Sequence, residues 1–206
     1  MQRFTLEPFS GPERYCITKE DSEAFEKFWR CFWDKLPKEF YWCIESPTYL
    51  TIAHDRYKDS LKHDTVIERR ITNAVMGLES LFSGGKERSE VLFRLGIRAA
   101  KLLGSKDVPP KGIQKTIKDA YDVRSKFLHG SLLEAKGKNK LAKKYDGDVA
   151  NLATTILEYL RRAILTFLFL EKPKEEIIQL IDEALISDEL PPALIMIRSE
   201  LPAILN

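Results

Sequence analysis

Apolar residues recur along most of this chain with the period of an α-helix. Phe25, Phe28, Trp29, Phe32, Trp33 and Leu36 stand at i, i+3, i+4, i+7, i+8 and i+11, which predicts an aromatic-rich amphipathic helix with its stripe in the core. Ahead of it, RFTLEPF and RYCIT read as short extended pieces with a turn at Gly11-Pro12 between them. Pro47 opens a second helix that runs to Leu61. In TVIERR, Thr65 as N-cap and Glu68 three residues on form a capping-box signature. The helix behind it places Ile67, Ile71, Ala74, Val75, Leu78, Leu81 and Phe82 on one face and ends at Gly84-Gly85.

A further helix carries Val91, Leu92, Leu95, Ala99, Leu102 and Leu103 and closes at Gly104. Another follows Pro109-Pro110. Residues 136–144, KGKNKLAKK, read as a basic loop. A long helix from Asp148 to Leu170 turns Val149, Leu152, Ala153, Ile156, Leu160, Ala163, Ile164 and Phe167 inward. It becomes apolar nearly all round at its end, which predicts deep burial or a subunit interface. Pro173, Pro191-Pro192 and Pro202 punctuate two short C-terminal helices. The expected class is all-α: a helical bundle with a small N-terminal extension, forming one domain over residues 1–206. Within it, residues 1–47 are the extension, 48–170 the core and 171–206 the C-terminal helices.

Composition narrows this only a little. With 44% hydrophobic and 31% charged residues, the chain is an ordinary globular one, and 33 basic residues against 31 acidic leave a net charge of only +2. A nucleic-acid partner therefore has to be argued from local charge. Cys16, Cys31 and Cys43 are odd in number and fit no metal-ligand spacing, so reduced thiols in a cytoplasmic protein are expected, with no metal and no cofactor. The first twenty residues lack a signal-peptide apolar run, and AILTFLFL at 163–170 is too short to span a membrane.

The chemistry gathers in YDVRSKFLHGS, residues 121–131. Ile113, Ile117, Ala120, Phe127 and Leu128 form one helical stripe with Tyr121 at its edge, and Arg124 falls near its middle. A guanidinium does not lose its proton, so it demands carboxylate or phosphate partners there, or a water-filled cleft. His129 would point about 140° away from Arg124 if the helix continued. A left-handed Gly130 would end the helix and free His129 to be re-aimed. The helix C-terminus favours an imidazolium.

RSKFLH, an arginine and a histidine separated by four residues, resembles the signature of HEPN-domain proteins. RRITNAVMGLESLF, FRLGIRAAKLLG and YDVRSKFLHG together, over roughly residues 48–170, resemble the Apea-like HEPN group. That resemblance implies a helical bundle, a homodimer and metal-independent RNA cleavage through 2′-hydroxyl attack, leaving a 2′,3′-cyclic phosphate. It also suggests a toxin-like or defence effector, with an inhibitory or regulatory protein partner. By position, Arg124 and His129 match the signature pair. Ser125 stands where many members carry another polar residue, and Glu79 matches an acidic position that would orient Arg124 or His129.

Plainer readings stand beside these. Arg124 can be a structural arginine buried against Glu79 or Glu134. Asp122 either polarises His129 or faces solvent. Lys136, Lys138, Lys140, Lys143 and Lys144 either steer an RNA backbone or form a solvated loop. Arg94 and Arg98 read as an exposed polar face or as added phosphate contacts. His54 and His63 are expected to face solvent. No aromatic–basic platform for RNA stands out along the chain. The alternative to a ribonuclease is a non-catalytic binding module for a protein or nucleotide partner.

Overall fold

The computed structural model describes residues 18–37, 40, 47–62, 65–84, 90–105, 108–187 and 191–196, and their regular structure is all helical. The extended pieces before residue 18, Cys16, Cys43, His63, Gly85 and Pro202 lie outside the described residues. The helices are α1 (Lys19–Phe32), a 3₁₀ turn (Trp33–Lys35), α2 (Tyr49–Leu61), α3 (Ile67–Phe82), α4 (Val91–Leu103), α5 (Pro110–Leu128), α6 (Ala135–Ala142), α7 (Val149–Leu170) and α8 (Lys174–Ile186). This is an all-α bundle. Among the described residues, no helix is long and apolar enough to cross a membrane.

Helix α3 is the hub and packs against α2, α4, α5 and α7. Its Ile71, Ala74, Val75, Leu78, Leu81 and Phe82 are buried in a hydrophobic cluster that extends from Phe32 to Leu194. The approach to α7 is close at Gly77, where a larger residue would make Leu160 shift. A Cβ on Gly77 would lie 2.6 Å from Leu160 Cδ2. The apolar end of α7 is buried inside the chain itself, with Leu165, Thr166, Phe167, Leu168 and Leu170 all covered. Of the two expectations for that end, deep burial is the one realised.

Three local expectations need correction. The aromatic stripe of α1 does not all enter the core. Phe32 is buried, but Phe25, Trp29 and Trp33 are exposed and stack on one another, with ring centroids 5.9 and 4.6 Å apart. The stripe is two rows wide, and the bundle accepts only the row of Phe28 and Phe32. Thr65 and Glu68 do not form a capping box. Val66 is the N-cap of α3 and makes no side-chain cap, while Glu68 is buried and points elsewhere. His54 does not simply face solvent: it stacks on Phe40 at 4.2 Å, and burial lowers its pKa, assisted by Lys58 and opposed by Asp55.

Arg98 departs most from expectation. It is neither on an exposed face nor free for phosphate, being only 2% exposed. Its Nε and Nη2 donate to the two carboxylate oxygens of Asp182, each at 2.7 Å, and its Nη1 donates to the carbonyl of Phe82 at 2.7 Å. One guanidinium thus joins α4 to α8 and satisfies a carbonyl that the end of α3 leaves without a helical partner. A fork of this kind contributes more by avoiding an unpaired buried charge than by net attraction. Asp182→Ala should therefore cost about 3–5 kcal/mol in a urea titration. Arg98→Met, which removes the buried charge and keeps the volume, should cost less; the reverse order would sink this account.

Candidate nucleic-acid interface

Helix α5 carries the motif and has clear local limits. Pro109 is its N-cap and Pro110 opens it, where a missing N–H costs nothing. At its other end, Gly130 takes φ +77°, the left-handed conformation expected of it. Gly130 N–H donates to the Phe127 carbonyl at 3.0 Å and Ser131 N–H to the Lys126 carbonyl at 3.0 Å, the paired bonds of a Schellman turn. The bend falls one residue after His129, which keeps φ −86° and acts as C-cap. Its Cβ therefore still leaves the helix about 140° round the axis from Arg124. His129 is exposed, and its ring has no hydrogen bond, ion pair or ring contact among the described residues.

Arg124 faces the opposite way, toward α3. Its Nη2 donates to Glu79 Oε2 at 3.0 Å, and its guanidinium carbon lies 5.1 Å from the centroid of the Tyr121 ring. Of the two carboxylates expected to hold it, Glu79 does so, and Glu134 stands at the start of α6 instead. The Arg124 side chain is 23% exposed, and its Nε–H is buried with no partner among the described residues. Burial pushes the Glu79 carboxyl above its ordinary range; the charge and hydrogen bond of Arg124 pull the other way without cancelling that. Ser125 is partly covered, and its backbone carbonyl accepts from His129 N–H at 3.2 Å. Asp122 is exposed and lines a cleft toward α6.

The lysine run is not a loop but the helix α6 and its following turn. Two buried carboxylates hold it in place. Glu68 of α3 accepts Leu133 N–H at 3.3 Å and pairs with Lys138 at 3.1 Å. Asp119 of α5 pairs with Lys144 at 2.7 Å and accepts from the Tyr145 hydroxyl at 3.1 Å. Burial is the main cause that pushes the Tyr145 phenol up to about 12. Lys138 and Lys144 are thus tied to carboxylates, while Lys136, Lys140 and Lys143 are exposed.

Two adjoining clefts lie between α5 and α6, of about 140 and 430 Å³, sharing Lys126, Gly137 and Lys140 as lining. Ser131 and Lys136 line the larger one, and Asp119, Asp122 and Lys144 the smaller. Sequence reasoning misses Asp119 and Lys126 and notices Glu68 only as a helix cap. Asp119 stands one step before Ala120 and three after Thr116, on the buried flank of its helix, which is the available signal. Among the described residues, no group of three or more His, Cys, Asp or Glu side chains could hold a metal ion. Comparison with protein-family models, with curated proteins and with solved structures finds no match.

The geometry of this helix end has two measurable consequences. No atom lies within 4 Å of a Cβ built on Gly130, so Gly130→Ala meets only the left-handed backbone penalty. Thermal denaturation should show a loss of about 1–2 kcal/mol. The second concerns Glu79. A raised carboxyl pKa means that the folded chain holds this proton better than the unfolded chain. Its contribution is full below the ordinary carboxylate pKa and is lost as pH rises through the raised value. Glu79→Gln does not titrate, so stability of wild type relative to the variant should fall across that window in paired urea titrations. A flat difference would contradict the assignment.

Proposed function

We propose that the chain is a metal-independent endoribonuclease of HEPN type, active as a homodimer. The observation that carries this is His129: an exposed histidine, fixed by the Schellman turn at the C-terminus of α5, beside clefts lined by Lys126, Lys136 and Lys140. The motif resemblance supplies the reaction. A neutral His129 takes the proton of a 2′-hydroxyl, and the 2′-oxygen bonds to phosphorus. The phosphorus–O5′ bond breaks, and the leaving oxygen is protonated by a second histidine in its charged form. One His129 per chain calls for two chains, facing each other across one phosphate. By the resemblance Arg124, whose Nη1 lies outside its bond to Glu79, would hold a phosphoryl oxygen, which requires its guanidinium to turn from α3 toward the His129 side. A chain that cuts RNA endangers its own cell, so restraint by a regulatory protein partner belongs to the same reading.

A second reading is favoured by one observation. Arg124 is already paired with Glu79 and points away from His129, as it would in a binding module that uses its arginine structurally. Cleavage of an unstructured RNA in EDTA separates the two. His129→Ala should slow cutting roughly 100- to 10,000-fold, the usual worth of a positioned acid or base. Wild-type products should end in a 2′,3′-cyclic phosphate, and specific activity should rise with protein concentration as dimers form. Equal cutting by wild type and variant would expose a contaminant, and no cutting by either would favour the binding module.

A further inference from the structure

Helix α5 shows solvent one continuous stripe. Lys111, Lys115, Lys118, Asp122, Lys126 and His129 stand at i, i+4, i+7, i+11, i+15 and i+18, and every one of them is exposed. Eighteen residues make five full turns, so His129 leaves the helix in the same direction as Lys111, about 27 Å away along the axis. Lys111, Lys115 and Lys118 form no ion pair among the described residues. The buried side of α5, with Ile113, Ile117, Ala120 and Val123, is fully used against the bundle. This charged line is what remains.

Beside the first half of the stripe lies a groove of about 650 Å³ between α4 and α5. Its walls are Leu92 and Phe93 on one side and Lys111, Gln114, Lys115 and Lys118 on the other. Phe93 is 58% exposed and has no ring contact among the described residues. Among the described residues lining the groove, the one acidic residue, Glu90, lies 4.0 Å from Arg94. An unstacked aromatic face next to evenly spaced cations is the arrangement that holds single strands: rings take bases, and lysines take successive phosphates. The sequence separates these parts, and the fold joins them.

We propose that this groove and stripe form a track for single-stranded RNA, with a base stacked on Phe93 and the backbone led along α5 toward His129. It rests on the ribonuclease reading for its direction, and adds to it the substrate class and an anchor remote from the cut. The line of charge decides between RNA and an acidic peptide helix. A peptide seated on Phe93 would use the groove and its three lysines. It would leave Lys126 and the alignment with His129 without a role, whereas a polyanion of repeating charge uses the whole stripe. An unpaired strand is required because a base locked in a duplex has no face to offer Phe93. Asp122 is the one anion on the line, and it sits between the anchor and His129.

The test is binding, kept apart from cleavage. A fluorescein-labelled 2′-O-methyl oligouridylate of about ten nucleotides, within the span of known single-strand sites, has no 2′-hydroxyl to react and is titrated by anisotropy. Phe93→Ala should weaken binding roughly 5- to 150-fold and leave the salt dependence unchanged. Lys111→Ala, Lys115→Ala and Lys118→Ala combined should flatten the slope of log K against log salt by about 2, or roughly 0.7 for each phosphate no longer neutralised. Asp122→Asn should tighten binding several-fold, a gain that misfolding does not produce. All five positions are exposed, so thermal melts should stay near wild type.

Binding indifferent to Phe93 and to the three lysines, with cutting still dependent on His129, overturns the track and leaves the nuclease standing. Binding that obeys the predictions without any cutting supports the track and sinks the nuclease. No binding, or a duplex of equal length bound as tightly through an unaffected Phe93→Ala variant, overturns the track; an acidic peptide then becomes the groove's occupant.

Discussion

Four groups along α3 hold its neighbours in place. Near its start, Glu68 is out of water and is satisfied by the Leu133 N–H and by Lys138, so α6 is held where it is. Midway, Gly77 leaves room for the Leu160 side chain of α7. One half-turn later Glu79 holds Arg124 of α5. At its end, the Phe82 carbonyl accepts from Arg98 of α4, whose other donors grip Asp182 of α8. Apolar packing would allow these helices to slide on one another. Buried Glu68 and Arg98 need their partners at one place each, so the polar contacts fix the register that hydrophobic burial stabilises.

Position along α3 explains why Arg124 and Arg98 differ. Both sit within an apolar helical stripe, Arg98 among Leu95, Ala99 and Leu102. The stripe pattern that marks Arg124 therefore marks Arg98 equally, and the second is hidden only because its partner, Asp182, is 84 residues away. The limits of α5 are legible in the sequence because Pro110 and Gly130 act on their own backbone. The pairing of Arg124 with Glu79 is legible as one of two options, and the fold takes the one on α3 and leaves Glu134 exposed. The direction of His129 is not. A glycine at position 130 is compatible with a turn that begins at His129 or just after it, and the two Schellman bonds choose the latter.

The misread segments share a different cause. Periodicity gives the face a helix presents but not whether anything covers it. Phe25, Trp29 and Trp33 have the pattern of a core row, yet they are exposed and pack ring against ring along α1. In α6 the signal is too weak for the opposite reason: Leu141 is its single large apolar residue, and Gly137 lowers its propensity. Buried Glu68 and Asp119, contributed by two other helices, position that segment from outside.

Net charge conceals the property most relevant to a partner. The total of +2 averages over a chain in which cations and anions are placed differently. Many carboxylates are engaged: Glu68, Glu79, Asp119 and Asp182 each face a cation that α4, α5, α6 or the turn after α6 contributes. The exposed lysines of α5 are not. Lys111 and Lys115, then Lys115 and Lys118, are like-charged neighbours on one helix face, an arrangement that costs roughly 0.2–0.5 kcal/mol per pair. Packing of the opposite face against α3 and α4 offsets that cost without using the lysines. The folded chain thus keeps a line of lysines in which Asp122 is the one anion, ending at the exposed His129. A polyanion laid along the helix would relieve the repulsion and bring its backbone to His129 in the same step.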